Sequence, residues 1–323
     1  MIGIVGAGAF GTALAVALGR EGRRVRLWAR DGALVAEMAR TRANAARLPG
    51  VDLPESVSVT AEIGDLAEAD AVLLTLPMQA LRGFLESHAA ALNGLSLIAC
   101  CKGVDLITLK GPTALIAAAC PASAFAILTG PSFAADVARG MPTALTLAGA
   151  EAEALQHLLS TPVLRLYRTD DVTGAELGGA LKNVIAIAAG IVIGAGLGDS
   201  TRAALMTRGY AEMTRLALAL GARAETLAGL SGFGDLVLTC TSAQSRNFRY
   251  GQALAAGQAL AAGQAFDAGV TIEGAATAKA VSDMAKSLDI DMPITRMIAA
   301  LIDQQITLPQ AIAALLARPL KQE

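Results

Sequence analysis

Aromatic residues are scarce in this sequence: one Trp, three Tyr and seven Phe make up 3% of 323 residues. Single-stranded nucleic acid is held largely by stacking on such rings, so the scarcity argues against that partner. An excess of charge of one sign is also lacking. The 26 Lys and Arg stand against 28 Asp and Glu, a net charge of −2 with both histidines neutral. No electrostatic footprint remains for nucleic acid or for an acidic membrane face. Cysteine is sparse too. Cys100, Cys101, Cys120 and Cys240 form no C-x-x-C pair, and only His88 and His157 accompany them. A zinc site or disulfide framework is therefore not expected, and the thiols read as reduced and buried in a cytoplasmic protein. Long apolar runs are missing as well. The longest uncharged stretch, 111–135, is broken by Pro112, Pro121, Gly130 and Pro131, and the next, 183–198, falls short of the roughly 20 residues a membrane helix needs. No positive region precedes the apolar start, so no signal peptide is expected.

What is present is an apolar, lightly charged chain, 54% hydrophobic and 17% charged, which excludes disorder. Its length suits two domains at roughly 150 residues each and a sizeable core. The first half alternates short β-branched runs with helical stretches, the pattern of a parallel sheet wrapped by helices. Strands are expected at 2–5, 25–28, 71–76, 96–99 and 124–128, with two more at 144–147 and 163–167. Beyond about residue 170 proline almost disappears and the spacing becomes helical. Helices are expected at 172–193, 202–220, 223–230, 246–256, 274–288, 293–301 and 309–316. The expected architecture is an α/β Rossmann-type domain over 1–168 followed by an all-α domain over 169–323. A six-residue near-repeat in 251–265 reads as a surface helix and loop without function.

Gly6-Ala7-Gly8-Ala9-Phe10-Gly11 matches G-x-G-x-x-G directly after the first strand and at the opening of a helix. Gly6 permits the tight turn, Gly8 leaves room for a pyrophosphate, and Gly11 lets helix and strand pack closely. The free N–H groups of the helix start then meet the phosphate charge. At the end of the second strand stands Arg30, which can pair with a 2′-phosphate, so NADPH is favoured. The neighbouring Asp31 keeps NADH open.

A nicotinamide enzyme reducing a ketone also needs a group that exchanges a proton with the alcohol oxygen. His88 and His157 fall in helices of the sheet domain, away from strand ends, and read as structural. Lysine is the next choice, because burial or a second cation lowers its pKa toward neutrality. Lys102 follows a strand at the ligand-facing edge, and Lys182 interrupts an apolar helix dotted with Gly178, Gly179 and Gly190. Asp235 lies between glycines and a run that reads as β-like. Ser245-Arg246-Asn247 offers a charged fork with neutral donors, suited to a phosphate. Gly130-Pro131-Ser132 adds backbone N–H groups and a hydroxyl at another strand end.

Taken in order along the whole chain, these segments resemble the bacterial NAD(P)-dependent glycerol-3-phosphate dehydrogenases. The parts around Lys182-Asn183 and from Asp235 to Asn247 are the specific ones. The resemblance implies a Rossmann-type domain with a helical domain similar to that of 6-phosphogluconate dehydrogenase. It also implies interconversion of sn-glycerol 3-phosphate and dihydroxyacetone phosphate for phospholipid synthesis, by a cytoplasmic homodimer. Lys182 matches the proton acceptor, and Lys102 a lysine shared by substrate and cofactor. Gly130, Ser132, Asp235, Ser245, Arg246 and Asn247 match substrate positions. Ala9, Phe10, Arg30, Ala134, Arg246, Thr271 and Glu273 match cofactor positions, beside the glycines of the turn. Asn183 and Thr239 are expected to support the lysine; no metal is implied. Ala9-Phe10 departs from the usual Ser followed by Tyr or Trp, and Thr271-Ile272 replaces a Val-Val pair. Two other readings use the same features: a β-hydroxyacid or ketopantoate-type reductase that binds a carboxylate, and a dinucleotide-sensing regulator without turnover.

Overall fold

The computed structural model describes residues 1–257 and 272–317. Among these, one sheet contains β1 (Ile2–Val5), β2 (Val25–Trp28), β3 (Val57–Thr60), β4 (Ala71–Leu74), β5 (Leu97–Ala99), β6 (Phe125–Thr129), β7 (Thr143–Gly149) and β8 (Leu164–Thr169). They lie in the order β3-β2-β1-β4-β5-β6-β7-β8. Neighbours run parallel except β6 and β7. The order reverses at β1, which pairs with β2 on one side and β4 on the other, Ile4 facing both Leu27 and Leu73. The crevice outside the strand ends at such a reversal is where open α/β sheets take their ligands.

Both faces of the sheet are covered, so its central strands carry apolar residues without alternation. Ile2 and Ile4 turn to one face, with Leu14 and Leu18 of the helix Ala9–Arg20. Val5 and Leu74 turn to the other, with Leu81 and Leu85 of the helix Met78–Leu92. The sequence missed β3. It is an edge strand paired only with β2, its two middle residues partly exposed, and so it lacks the apolar run that marks the others. His88 packs beside the Trp28 and Phe84 rings, with centroids 5.9 and 4.7 Å away. The four cysteines are buried and free.

The remainder of the described chain is helical, built around the 23-residue helix Val172–Gly194. It is the one described helix long and apolar enough to cross a membrane, but 89% of its most apolar stretch is buried inside the fold. Gly178, Gly190 and Gly194 are close contacts with other backbones. A Cβ on Gly178 would lie 2.6 Å from the Ser231 carbonyl oxygen, and one on Gly190 only 2.0 Å from that of Phe248. Gly251 meets the Ile187 carbonyl in the same way, so the start of the near-repeat packs on the central helix and is not surface. The later copies lie outside the described residues. Gly190→Ala must force two helices apart and is expected to lower stability by about 2–3 kcal/mol. Gly83→Ala, in an exposed helix position with open space around it, is expected to add about 0.5–1 kcal/mol. Urea midpoints of the two variants check the contrast.

Candidate active site

The strand ends place the first half of the site. Gly6, with φ of 107°, turns the chain out of β1 into the helix Ala9–Arg20. A Cβ on Gly11 would sit 2.1 Å from the Gly6 carbonyl oxygen and 2.3 Å from Thr75 Oγ1, so only glycine lets the helix start this close to the strand. Gly8 faces open space, and the helix it begins has no side-chain cap. Free N–H groups around a residue with room beside it fit a pyrophosphate. Ala9 and Phe10 form the first turn, and Ala134 opens the short helix Ala134–Ala138 packed against it. Arg30 is exposed and makes no hydrogen bond or ion pair among the described residues, whereas the Asp31 carboxylate caps the helix Gly32–Thr41, accepting from Ala33 and Leu34 N–H.

The second half is a buried charge cluster where the sheet meets the helices. Asp235, 1% exposed, receives Lys182 Nζ on Oδ1 at 2.6 Å and Lys102 Nζ on Oδ2 at 2.5 Å. Lys182 also donates to Thr239 Oγ1 at 2.7 Å, and that hydroxyl donates to the Asp235 backbone carbonyl at 2.6 Å. Lys102 reaches the Gly130 carbonyl at 3.0 Å. Gly179 lies beside it: a Cβ there would come within 2.8 Å of Thr129 Oγ1, while Lys102 Cγ, 3.5 Å away, would be in ordinary contact. One carboxylate thus holds two amines, each on its own oxygen. Burial pushes the Lys182 pKa down to about 8, Lys102 adds to the fall, and Asp235 opposes it.

Asp235 is not followed by a strand. Leu230–Gly234 makes a wide, π-helical turn that runs straight into the helix Asp235–Thr241. The expected helix 223–230 is correspondingly shorter, Ala224–Ala228. The β-branched and apolar residues after Asp235 suggested extension, but tertiary packing overrides such short propensities. The helical spacing is what sets Thr239 one turn beyond Asp235, under the same amine.

Ser245 caps the helix Arg246–Ala255, its hydroxyl accepting from Phe248 N–H at 3.2 Å. Arg246 is exposed at that helix's first position, and Asn247 Oδ1 accepts from Gly274 N–H at 3.0 Å, while its Nδ2 makes no hydrogen bond among the described residues. Glu273 opens the helix Glu273–Ser287; burial raises its pKa, while Arg246, Lys102 and Lys182 pull it back. Ser132 Oγ reaches only its own loop, at the Gly130 carbonyl. Asn183 is not part of the amine cluster. It is the next residue along the helix, and its backbone carbonyl lies against Gly274. Thr271 lies outside the described residues. Sequence reasoning missed Thr75, whose hydroxyl is 2.9 Å from the carbonyls of both Val5 and Gly6. A lone threonine at a strand end carries no periodic signal that would have marked it. Among the described residues no group of His, Cys, Asp or Glu could hold a metal ion.

A Rossmann-type sheet with a phosphate-ready turn, joined to a helical unit that contributes a buried lysine, defines a nicotinamide-dependent dehydrogenase. The N-terminal domain profile of NAD-dependent glycerol-3-phosphate dehydrogenase matches residues 1–155, and the C-terminal domain profile matches residues 171–313. The chain belongs to that family. It is 68% identical over 326 residues to the glycerol-3-phosphate dehydrogenase [NAD(P)+] of Cereibacter sphaeroides, covering 100% of both chains. It is 60% identical to that of Paracoccus denitrificans, covering 100% of this chain and 99% of the relative. The crystal structure of glycerol-3-phosphate dehydrogenase from Coxiella burnetii superposes with a TM-score of 0.92 at 36% identity, covering 98% of each chain.

Proposed function

We propose that this dehydrogenase reduces dihydroxyacetone phosphate to sn-glycerol 3-phosphate, with Lys182 as the group that gives and takes the proton. The observation that carries the reading is the pair of amines on one buried carboxylate, Lys182 and Lys102 on the two oxygens of Asp235. When bound, NADPH or NADH supplies or accepts the hydride. Lys182 protonates the ketone oxygen in reduction and removes the alcohol proton in oxidation, a role suited to an amine titrating near 8. Lys102, beside it, polarises the same oxygen. Asp235 and Thr239 hold the Lys182 amine in place.

Arg246 and Asn247 Nδ2 bind the phosphate, with Ser245, Ser132 and the Gly130 loop around the substrate. The glycine turn with Ala9 and Phe10, then Ala134 and Glu273, lines the dinucleotide. Arg30, exposed just past the end of β2, favours NADPH, while Asp31 engages Oδ1 in its helix cap. The family resemblance further supports a cytoplasmic homodimer that feeds phospholipid synthesis, checked by sedimentation of the purified chain.

The test is loss of reduced-nicotinamide absorbance with dihydroxyacetone phosphate, ketopantoate and other small keto acids, each with NADPH and NADH. Faster turnover of a keto acid would transfer the enzyme to the carboxylate-binding reductases, and no turnover with any ketone would favour a sensor. Arg246→Ala is expected to raise the KM for dihydroxyacetone phosphate about 10- to 100-fold, the worth of a charge-assisted contact. At saturating NADPH the activity on unphosphorylated dihydroxyacetone should fall far less than that on the phosphorylated ketone. An unaltered KM for the phosphorylated ketone removes Arg246 from the phosphate site.

A further inference from the structure

Asn44 has no part in the chemistry described above. It lies between the helix Gly32–Thr41 and β3, 1% exposed. Its Nδ2 donates to the Ala7 carbonyl at 2.9 Å and to Thr12 Oγ1 at 2.8 Å. Thr12 is itself fully buried in the first turns of the helix Ala9–Arg20. The segment that carries Asn44 is braced. The Asn44 carbonyl accepts from the N–H groups of Arg47 and Leu48, and the Arg42 guanidinium donates to the carbonyls of Leu53, Pro54 and Val57. Asn44 is therefore a fixed arm reaching into the glycine turn.

Peptide planarity converts that contact into an orientation. The described residues contain no cis peptide bond, so the Gly8 N–H points opposite to the Ala7 carbonyl. Drawing that carbonyl inward onto Asn44 turns the Gly8 N–H away from Asn44, and no atom lies within 4 Å of where a Gly8 side chain would begin. The Gly8 N–H donates to no group among the described residues. Asn44 Oδ1 is buried without a partner. Rotating the amide would not relieve it, because Oδ1 would then face the Ala7 carbonyl oxygen, acceptor against acceptor. The site thus keeps both donations from Nδ2, to Ala7 and to Thr12, and leaves Oδ1 without a partner.

We propose that Asn44 is a positioning residue for the dinucleotide: by holding the Ala7 carbonyl it aims the Gly8 N–H at the pyrophosphate. The inference rests on the glycine turn being the dinucleotide site. It is tested by titrating NADPH into the full chain and following the fluorescence of the bound nicotinamide. Asn44→Ala and Asn44→Asp are expected to weaken NADPH binding about tenfold or more, the scale of a lost buried contact. The kcat at saturating NADPH and the KM for dihydroxyacetone phosphate should change by less than about twofold, a split that general unfolding would not produce. Thr12→Val removes the second acceptor without changing shape and should weaken NADPH about threefold, with Thr12→Ser restoring the affinity. A folded Asn44→Ala protein that binds NADPH as the parent does overturns the proposal. If Asn44→Ala does not fold, equal affinities for the Thr12→Val and Thr12→Ser proteins overturn it. Failure of the parent chain to bind NADPH is a separate result, and it overturns the glycine-turn reading itself.

Discussion

Lys182→Ala is expected to lower turnover about 10²- to 10⁴-fold, the usual worth of a positioned proton-transfer group, with NADPH affinity within about twofold of the parent. Truncation leaves Asp235 with Lys102 on Oδ2 and empties the space beside Oδ1, where Lys182 Nζ lies 2.6 Å away. The charge balance of the pocket changes as well as its chemistry. Small primary amines separate the two effects: if the missing proton carrier is the cause, methylamine or ethylamine restores part of the rate, in proportion to amine basicity. Lys182→Met fills the volume without the amine and should be as inactive as Lys182→Ala. Turnover above about a tenth of the parent rate in either variant, measured at saturating cofactor and ketone, defeats the assignment of Lys182.

The pH dependence carries the second large effect, and its sign follows from which form of the amine each direction needs. Ketone reduction requires the ammonium, so its rate falls as pH rises through about 8, where burial has pushed the Lys182 pKa. Alcohol oxidation requires the free amine and rises across the same interval. Asp235 is the group that resists this depression, and it does so against both desolvation and Lys102. Asp235→Asn removes the resisting charge while keeping the shape. Both pH limbs should then move down by about one unit or more, the usual effect of an opposite charge at hydrogen-bond distance. Reduction at pH 8 is expected to fall about fivefold or more, and much of the loss should return at pH 6.5. A profile that stays in place means that a group other than Lys182 carries the proton.

Legibility in the sequence varied with the kind of signal. The glycine turn was readable because three glycines at fixed spacing between a buried strand and a helix leave few alternatives, and the crowding at Gly11 gives the reason. The central helix was readable from its length and apolar content, with ends within a residue or so of expectation. β3 escaped because half of an edge strand faces water. The helix at Asp235 was misread because five glycine-rich residues ahead of it form a π-helical turn, a feature local propensity does not encode. Asn44 and Thr75 went unseen for a different reason. Each acts through a single side chain on a backbone carbonyl more than 30 residues away, and such contacts leave no periodic trace.

By itself the amino-acid order determined the class of the fold, the turn that can face a phosphate, and the presence of an amine in an otherwise apolar helix. These follow from local geometry, in which spacing along the chain sets which residues share a face or a turn. Only the tertiary structure decided that Lys102 and Lys182 share Asp235, although 133 and 53 residues separate them from it. It also decided that Asp31 serves a helix cap while Arg30 has no hydrogen bond or ion pair among the described residues. Partners so distant in sequence are brought together by the packing of the sheet against the central helix, and the electrostatics of the amine exist only once that burial is complete.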